Sequence, residues 1–252
     1  MAAGRHLVEE MEALRASPEW KLRAQLEQLA FVFGLHHANY QELKRLMKAM
    51  AADEETIIRL WDVQNRAALD NVIDEAARLF FNFLSSASAL VDHTRVHVRK
   101  LYPSSPFLKE YKAQLAQRLA KRPVTCFVQG LRNYSLHYRI PLVTATFRFK
   151  RDQPLKNQLM LDISELARWH RWDATSKKYM ATLDEDHPLE QLVDDYMALV
   201  TDFYEWLRRR ELELHHAALS DLQQHIDRLL ALERQLWGED DGSPHADAAP
   251  PK

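Results

Sequence analysis

A single cysteine, Cys126, in 252 residues excludes an internal disulfide and any paired-Cys metal site. With only 5 Gly there is no Gly-rich phosphate loop, no dinucleotide-binding turn and no serine-nucleophile elbow. No stretch approaches 18 uninterrupted apolar residues, so no helix is expected to span a membrane. The opening Met1–His6 lacks the apolar run of a secretory signal, and the expectation is a cytoplasmic protein. Neither charge sign dominates: the net charge is −2 with 12 His, so any contact with nucleic acid has to come from a local patch.

What remains is a chain of helix formers, rich in Leu, Ala, Glu, Arg, Lys and Gln. Two helices are predicted over 5–16 and 18–50, separated where Ser17 can cap and Pro18 can occupy a first helical position. Gly34 is the one candidate kink in the second, beside His36 and His37. Asp53 begins a third helix predicted to run unbroken to Leu101, about 70 Å at 1.5 Å per residue. A helix of that length needs bundle partners or a second copy of the chain to cover it. An amphipathic helix over Phe107–Arg122 follows a Pro103–Pro106 turn, and a last helix is predicted from His187-Pro188 through Leu236.

The period changes after Pro141. Leu142–Phe149 alternates and is β-branched and aromatic, and Gln158–Ile163 does so less clearly, with Lys150–Pro154 as a turn. A hairpin over about 142–163 is the reading. Ser164 is expected to cap a brief helix, and Trp169–Asp173 leads into another. Trp169 and Trp172, beside Arg168 and Arg171, can stack bases, but two Trp at this spacing more often seal a helix against a core. The expected fold is thus an all-α, elongated bundle of long antiparallel helices with one small hairpin. It forms a single domain over 1–237, followed by a disordered tail over 238–252.

The stretch Pro123–Pro141 carries the most chemistry. Pro123 suits a first helical position, Phe127, Leu131, Tyr134 and Tyr138 recur at helical spacing, and Pro141 stops the run. Asn133 and His137 fall one turn apart on one face. Arg132 lies about 140° from His137 around the axis and ~7.5 Å along it. A guanidinium fork for a phosphate and an imidazole that exchanges protons near neutrality are the elements of metal-independent phosphodiester cleavage. A second Arg-to-His spacing, Arg208–His216, sits in a charged run and reads as a solvated face.

Tyr134 follows the Arg132-Asn133 pair and Pro141 lies four residues beyond His137. In these residues the chain resembles the HEPN superfamily, all-helical domains whose signature is Arg, a polar residue that is often Asn, three to five further residues, then His. The resemblance implies a metal-independent endoribonuclease of the toxin–antitoxin or phage-defence kind, without cofactor. Its partners would be RNA, a second copy of the chain, and an antitoxin or operon partner. The implied roles are proton transfer for His137, phosphate binding for Arg132 and orientation for Asn133. Attack of an RNA 2′-hydroxyl on the adjacent phosphorus would then leave a cyclic phosphate. Arg139, Arg95, Arg99, Tyr134 and His170 are candidate substrate contacts.

Two other readings stay open. Arg132, Asn133 and His137 form a structural polar network in a noncatalytic helical scaffold, or His93 and His97, four residues apart on one helix face, serve a metal-dependent enzyme.

Overall fold

The computed structural model describes residues 2–141, 143–149, 151 and 154–238. Among them are ten α-helices and one three-stranded antiparallel sheet, as the mainly helical composition predicts. No helix among the described residues is long and apolar enough to cross a membrane. Nearly all of the expected tail, Leu142 and most of the hairpin turn fall outside the described residues.

The chain divides into two compact units, Gln28–Arg209 and a smaller one made from residues 1–27 with 210–252. The smaller unit contains α1 (Ala2–Ala16), the first turns of α2 (Pro18–Met50) and α10 (His216–Trp237). Its core is Leu7 and Leu14 against Leu222 and Leu229, flanked by Met11, Trp20 and Ile226. Ser17 separates α1 from α2 as expected, its hydroxyl accepting from the Trp20 amide at 3.1 Å.

In the larger unit α2 continues through Gly34 without a break, because nothing crowds that position and the apolar stripe Leu29, Val32, Leu43, Met47 carries on past it. The predicted helix from Asp53 to Leu101 does not form in one piece. Asp53 caps α3 (Glu54–Leu60), a 3₁₀ turn covers Val63–Asn65, and α4 (Arg66–Leu101) starts afresh. The interruption has a tertiary cause. Trp61 leaves the helical path so that its indole N–H donates to Asn157 Oδ1 (3.1 Å) and its ring meets Phe147, while Asp62 accepts from the Gln64 amide. What remains, α4, is about 54 Å long, which removes much of the length argument for a second copy.

Ser105 caps α5 (Pro106–Leu115), and the predicted continuation to Arg122 loosens into a π-helical stretch over Ala116–Ala120 before Pro123 opens α6 (Pro123–His137). The hairpin forms as expected: β1 (Val143–Arg148) pairs with β2 (Lys156–Asp162), with Val143 opposite Leu161. A third strand was not anticipated. His187 and Pro188 do not start a helix; they lie in β3 (Asp186–Pro188), where Leu161 pairs with His187, and α9 (Leu189–Leu214) begins after them.

The last predicted helix is also two, since His215 interrupts it. The His215 amide still reaches the Glu211 carbonyl at 3.1 Å and the Leu219 amide the His215 carbonyl at 3.0 Å, so the hydrogen-bond ladder is nearly continuous across it. Between β2 and β3 lie α7 (Ile163–Ala167) and α8 (Ala174–Met180). Asp162, not Ser164, caps α7 by accepting from the Glu165 amide, and Asp173 caps α8.

The core of this unit joins Phe80, Phe83 and Leu84 of α4 to Val193, Tyr196 and Phe203 of α9 and to Phe127, Leu131 and Tyr134 of α6. Lys44 of α2 pairs with Glu190 and with Asp194 (2.7 Å), and Tyr40 donates to Asp194 (2.8 Å), which fastens α2 to the start of α9.

Candidate functional site

Helix α6 is amphipathic in the sense the motif requires. Val124, Thr125, Phe127, Val128, Leu131 and Tyr134 are buried, and Asn133, Leu136 and His137 are exposed. Phe127 meets Trp172 and Tyr179, and Tyr134 sits among Trp169, Trp172 and Tyr138. Gly130 lets this packing close up: a Cβ there would lie 2.4 Å from Trp172 Cζ3. Trp172 is itself fixed, its indole N–H donating to the Leu166 carbonyl at 2.7 Å. Both Trp169 and Trp172 are buried and serve the core.

The helix ends four residues before Pro141. The amides of Tyr138 and Arg139 both turn back to the Tyr134 carbonyl, at 2.9 and 3.1 Å, which closes the last turn. His137 is therefore the last helical residue and is exposed. Asn133 is exposed one turn before it, and Arg132, partly exposed, donates to Asn133 Oδ1 at 3.3 Å. No hydrogen bond or ion pair among the described residues holds the His137 ring. Asn133 and His137 are thus exposed and Arg132 partly so, and none is locked into a core network.

The remaining candidates are placed unequally. Arg139 lies just past the motif but is engaged with Glu165 (2.7 Å), which also receives Arg168. Tyr134 is fully buried, its hydroxyl has no partner, and burial pushes that hydroxyl above the usual phenol range. From this position it packs and does not reach a substrate. His170 is exposed on the turn after α7.

Arg95 and Arg99 are exposed on α4, with Arg95 paired to Asp92 at 3.0 Å. Arg118, just before α6, pairs with Asp202 of α9 at 2.8 Å. Phe83 packs on Tyr196 and Thr94 bonds Tyr204, so α4 runs parallel to α9. Arg95 is thus near the level of Tyr204 on α9.

The two histidines of the metal reading also part company. His93 is exposed, whereas His97 is buried with its ring against Tyr102. No cluster of three His, Cys, Asp or Glu side chains suited to a metal ion occurs among the described residues.

Beside the motif lies a feature the sequence did not announce. A solvent-open cleft of about 290 Å³ runs between α6 and the Trp169–Asp173 turn, bordered by Thr125, Cys126, Gln129, Asn133, Arg171 and Asp173. Half of it was legible in principle, because 126, 129 and 133 recur on one helix face that leads on to 137. The other wall is brought there by the Trp packing alone. Burial, reinforced by the charge of Asp173, raises the Cys126 thiol above its ordinary value. For Asp173 burial acts upward, but hydrogen bonds from Ser176 and Thr175 prevail and hold the carboxyl below the usual range. It stays ionised at neutral pH.

No protein-family model, curated protein or solved structure matches this chain.

Proposed function

We propose that the protein is a metal-independent endoribonuclease of the HEPN type, with Arg132, Asn133 and His137 as its catalytic residues. The observation that carries this reading is their shared exposure: the guanidinium is steered by Asn133, and the imidazole one turn on is free to meet a substrate. A polar network serving only the fold would be buried and mutually bonded. His137 moves the proton between the RNA 2′-hydroxyl, or the leaving 5′-oxygen, and solvent. Arg132 neutralises the phosphate as charge builds on it, and Asn133 keeps the guanidinium in place.

A homodimer belongs to this reading. Leu136, Tyr138 and Ile140 are large, exposed and apolar around His137, a surface that a second copy would cover while adding its own motif to the cleavage site. A toxin or phage-defence effector, held in check by an antitoxin or operon partner, is the setting in which such an activity works.

The test is incubation with RNA in excess EDTA. Cleavage that leaves 2′,3′-cyclic phosphate ends is expected. Cleavage that stops in EDTA and returns with a divalent metal overturns the mechanism, and a folded protein that cuts no RNA puts the scaffold reading in its place.

A further inference from the structure

The three-stranded sheet has two edges, and they differ. Strand β3 is three residues long and ends on Pro188, which lacks an amide proton to offer a further strand. Strand β1, at the other edge, pairs with β2 through six consecutive residues without a bulge and contains no proline. No backbone hydrogen bond among the described residues joins β1 to anything but β2. Every second residue of β1 therefore turns its amide and carbonyl outward to no backbone partner.

Proteins commonly blunt such an edge with proline, a bulge, lysines or a covering element, because a long open edge is a template for another strand. Here apolar side chains accompany it instead. Phe149 is 71% exposed, and Phe147 stays exposed although its ring meets Trp61 at 5.7 Å. The chain that leads from α6 into β1 exposes Leu136, Tyr138 and Ile140 as well.

The residues along the edge fit a copy of themselves. Val143, Ala145 and Phe147 lie on the face towards the core, and Thr144, Thr146 and Arg148 on the other. An antiparallel copy related by a two-fold axis through Thr146 matches the whole stretch Val143–Phe149. Val143 of one copy then faces Phe149 of the other and Ala145 faces Phe147, which gives each exposed phenylalanine an aliphatic neighbour. On the opposite face Thr144 meets Arg148 and Thr146 meets its own counterpart, so no like charges are apposed.

We infer that β1 is a dimerisation edge, which pairs antiparallel with β1 of a second copy and joins two three-stranded sheets into one. The inference rests on the ribonuclease reading for its dimer, whose interface it names; the strand pairing itself needs none of that chemistry.

Sedimentation equilibrium of the full chain tests it. The wild type is expected to be a concentration-dependent dimer. The pair of Thr144 with Arg148 occurs twice across the axis, so charge at position 144 reads both the interface and its register. Thr144→Lys sets two like-charge pairs face to face and should raise the dissociation constant roughly tenfold, whereas Thr144→Glu creates two opposite-charge pairs and should lower it by a similar factor. Thr144→Lys combined with Arg148→Glu should bring it back to the wild-type value. Misfolding does not imitate a tighter dimer, so the glutamate variant decides the matter even where lysine disturbs the strand.

A chain that stays monomeric at high micromolar concentration overturns the inference. So does a dimer whose dissociation constant moves the same way, or not at all, with both substitutions. RNA cleavage by a monomer overturns the interface and leaves the ribonuclease chemistry standing; a dimer of this register that cuts no RNA does the reverse.

Discussion

His36 Nδ1 lies 3.0 Å from Ser86 Oγ, and the Ser86 proton is already donated to the Phe83 carbonyl. Serine has one proton to give, so His36 must be the donor at Nδ1, leaving Nε2 unprotonated, buried and without a partner. The ring packs against Phe83 and Tyr196, and burial, with the neighbouring His37, lowers its pKa to about 4. It is a core residue in a fixed tautomer.

The consequence is a loss of stability in mild acid. Below pH 6.5 the unfolded chain takes up a proton on this ring, and the folded chain does not until about pH 4. Stability therefore falls as the pH drops through that window, by about 3 kcal/mol at its lower end. Urea unfolding at pH 7, 5.5 and 4.5 measures it. His36→Gln, which can still donate to Ser86, should flatten the part of the slope that this ring causes; an unchanged slope would show that the ring titrates freely.

Gly130→Ala sets two effects against each other. An alanine gains about 1 kcal/mol of helix propensity over glycine. Its Cβ, however, would meet Trp172 Cζ3 at 2.4 Å and Cε3 at 2.7 Å, and the indole cannot swing away without breaking its bond to Leu166. Overpacking costs about 1–3 kcal/mol, so the expected outcome is net destabilisation with a blue-shifted or quenched Trp signal. A more stable variant would mean that α6 and Trp172 part more easily than their contacts indicate.

Asn157 holds three elements at once. Its Nδ2 donates to the Met50 carbonyl at the end of α2 (2.8 Å), and its Oδ1 accepts from Trp61 at the break between α3 and α4. Asn157→Ala strands both groups, at roughly 1–3 kcal/mol for each that water cannot reach. The hydrogen-exchange protection of residues 54–66 should fall more than that of α9. Equal loss across the larger unit would contradict a local role.

These same residues explain what the sequence concealed. The start of α6 was readable because Pro123 marks its first turn, and β1 because Val143–Arg148 alternates over a stretch long enough to show a period of two. Local patterns of that kind survive into the fold. The break at Trp61-Asp62 was invisible because both residues are tolerated in a helix; it is decided by Asn157, nearly a hundred positions away. Strand β3 is three residues long and runs straight into α9, so its His187-Pro188 imitates a helix start.

At the candidate site the α6 face was legible from spacing. The Asp173 wall was not, because it depends on Trp169 and Trp172 packing against Phe127 and Tyr134.

The catalytic reading makes its sharpest demand on His137. As the exposed last residue of α6, with no bond to the rest of the described chain, its removal should leave the fold intact. His137→Ala is therefore expected to keep the wild-type melting temperature while RNA cleavage falls roughly 10²–10⁴-fold, the range for loss of a general acid or base. Arg132→Ala should also abolish most activity, since it removes the charge that meets the phosphate. Arg210→Ala provides the contrast: Arg210 has a similar spacing to a histidine but is paired with Glu213 at 2.9 Å in the smaller unit, and cleavage should not change. If RNA is cut at the wild-type rate by both folded variants, His137→Ala and Arg132→Ala, then α6 is not the active site and the exposed motif serves another purpose.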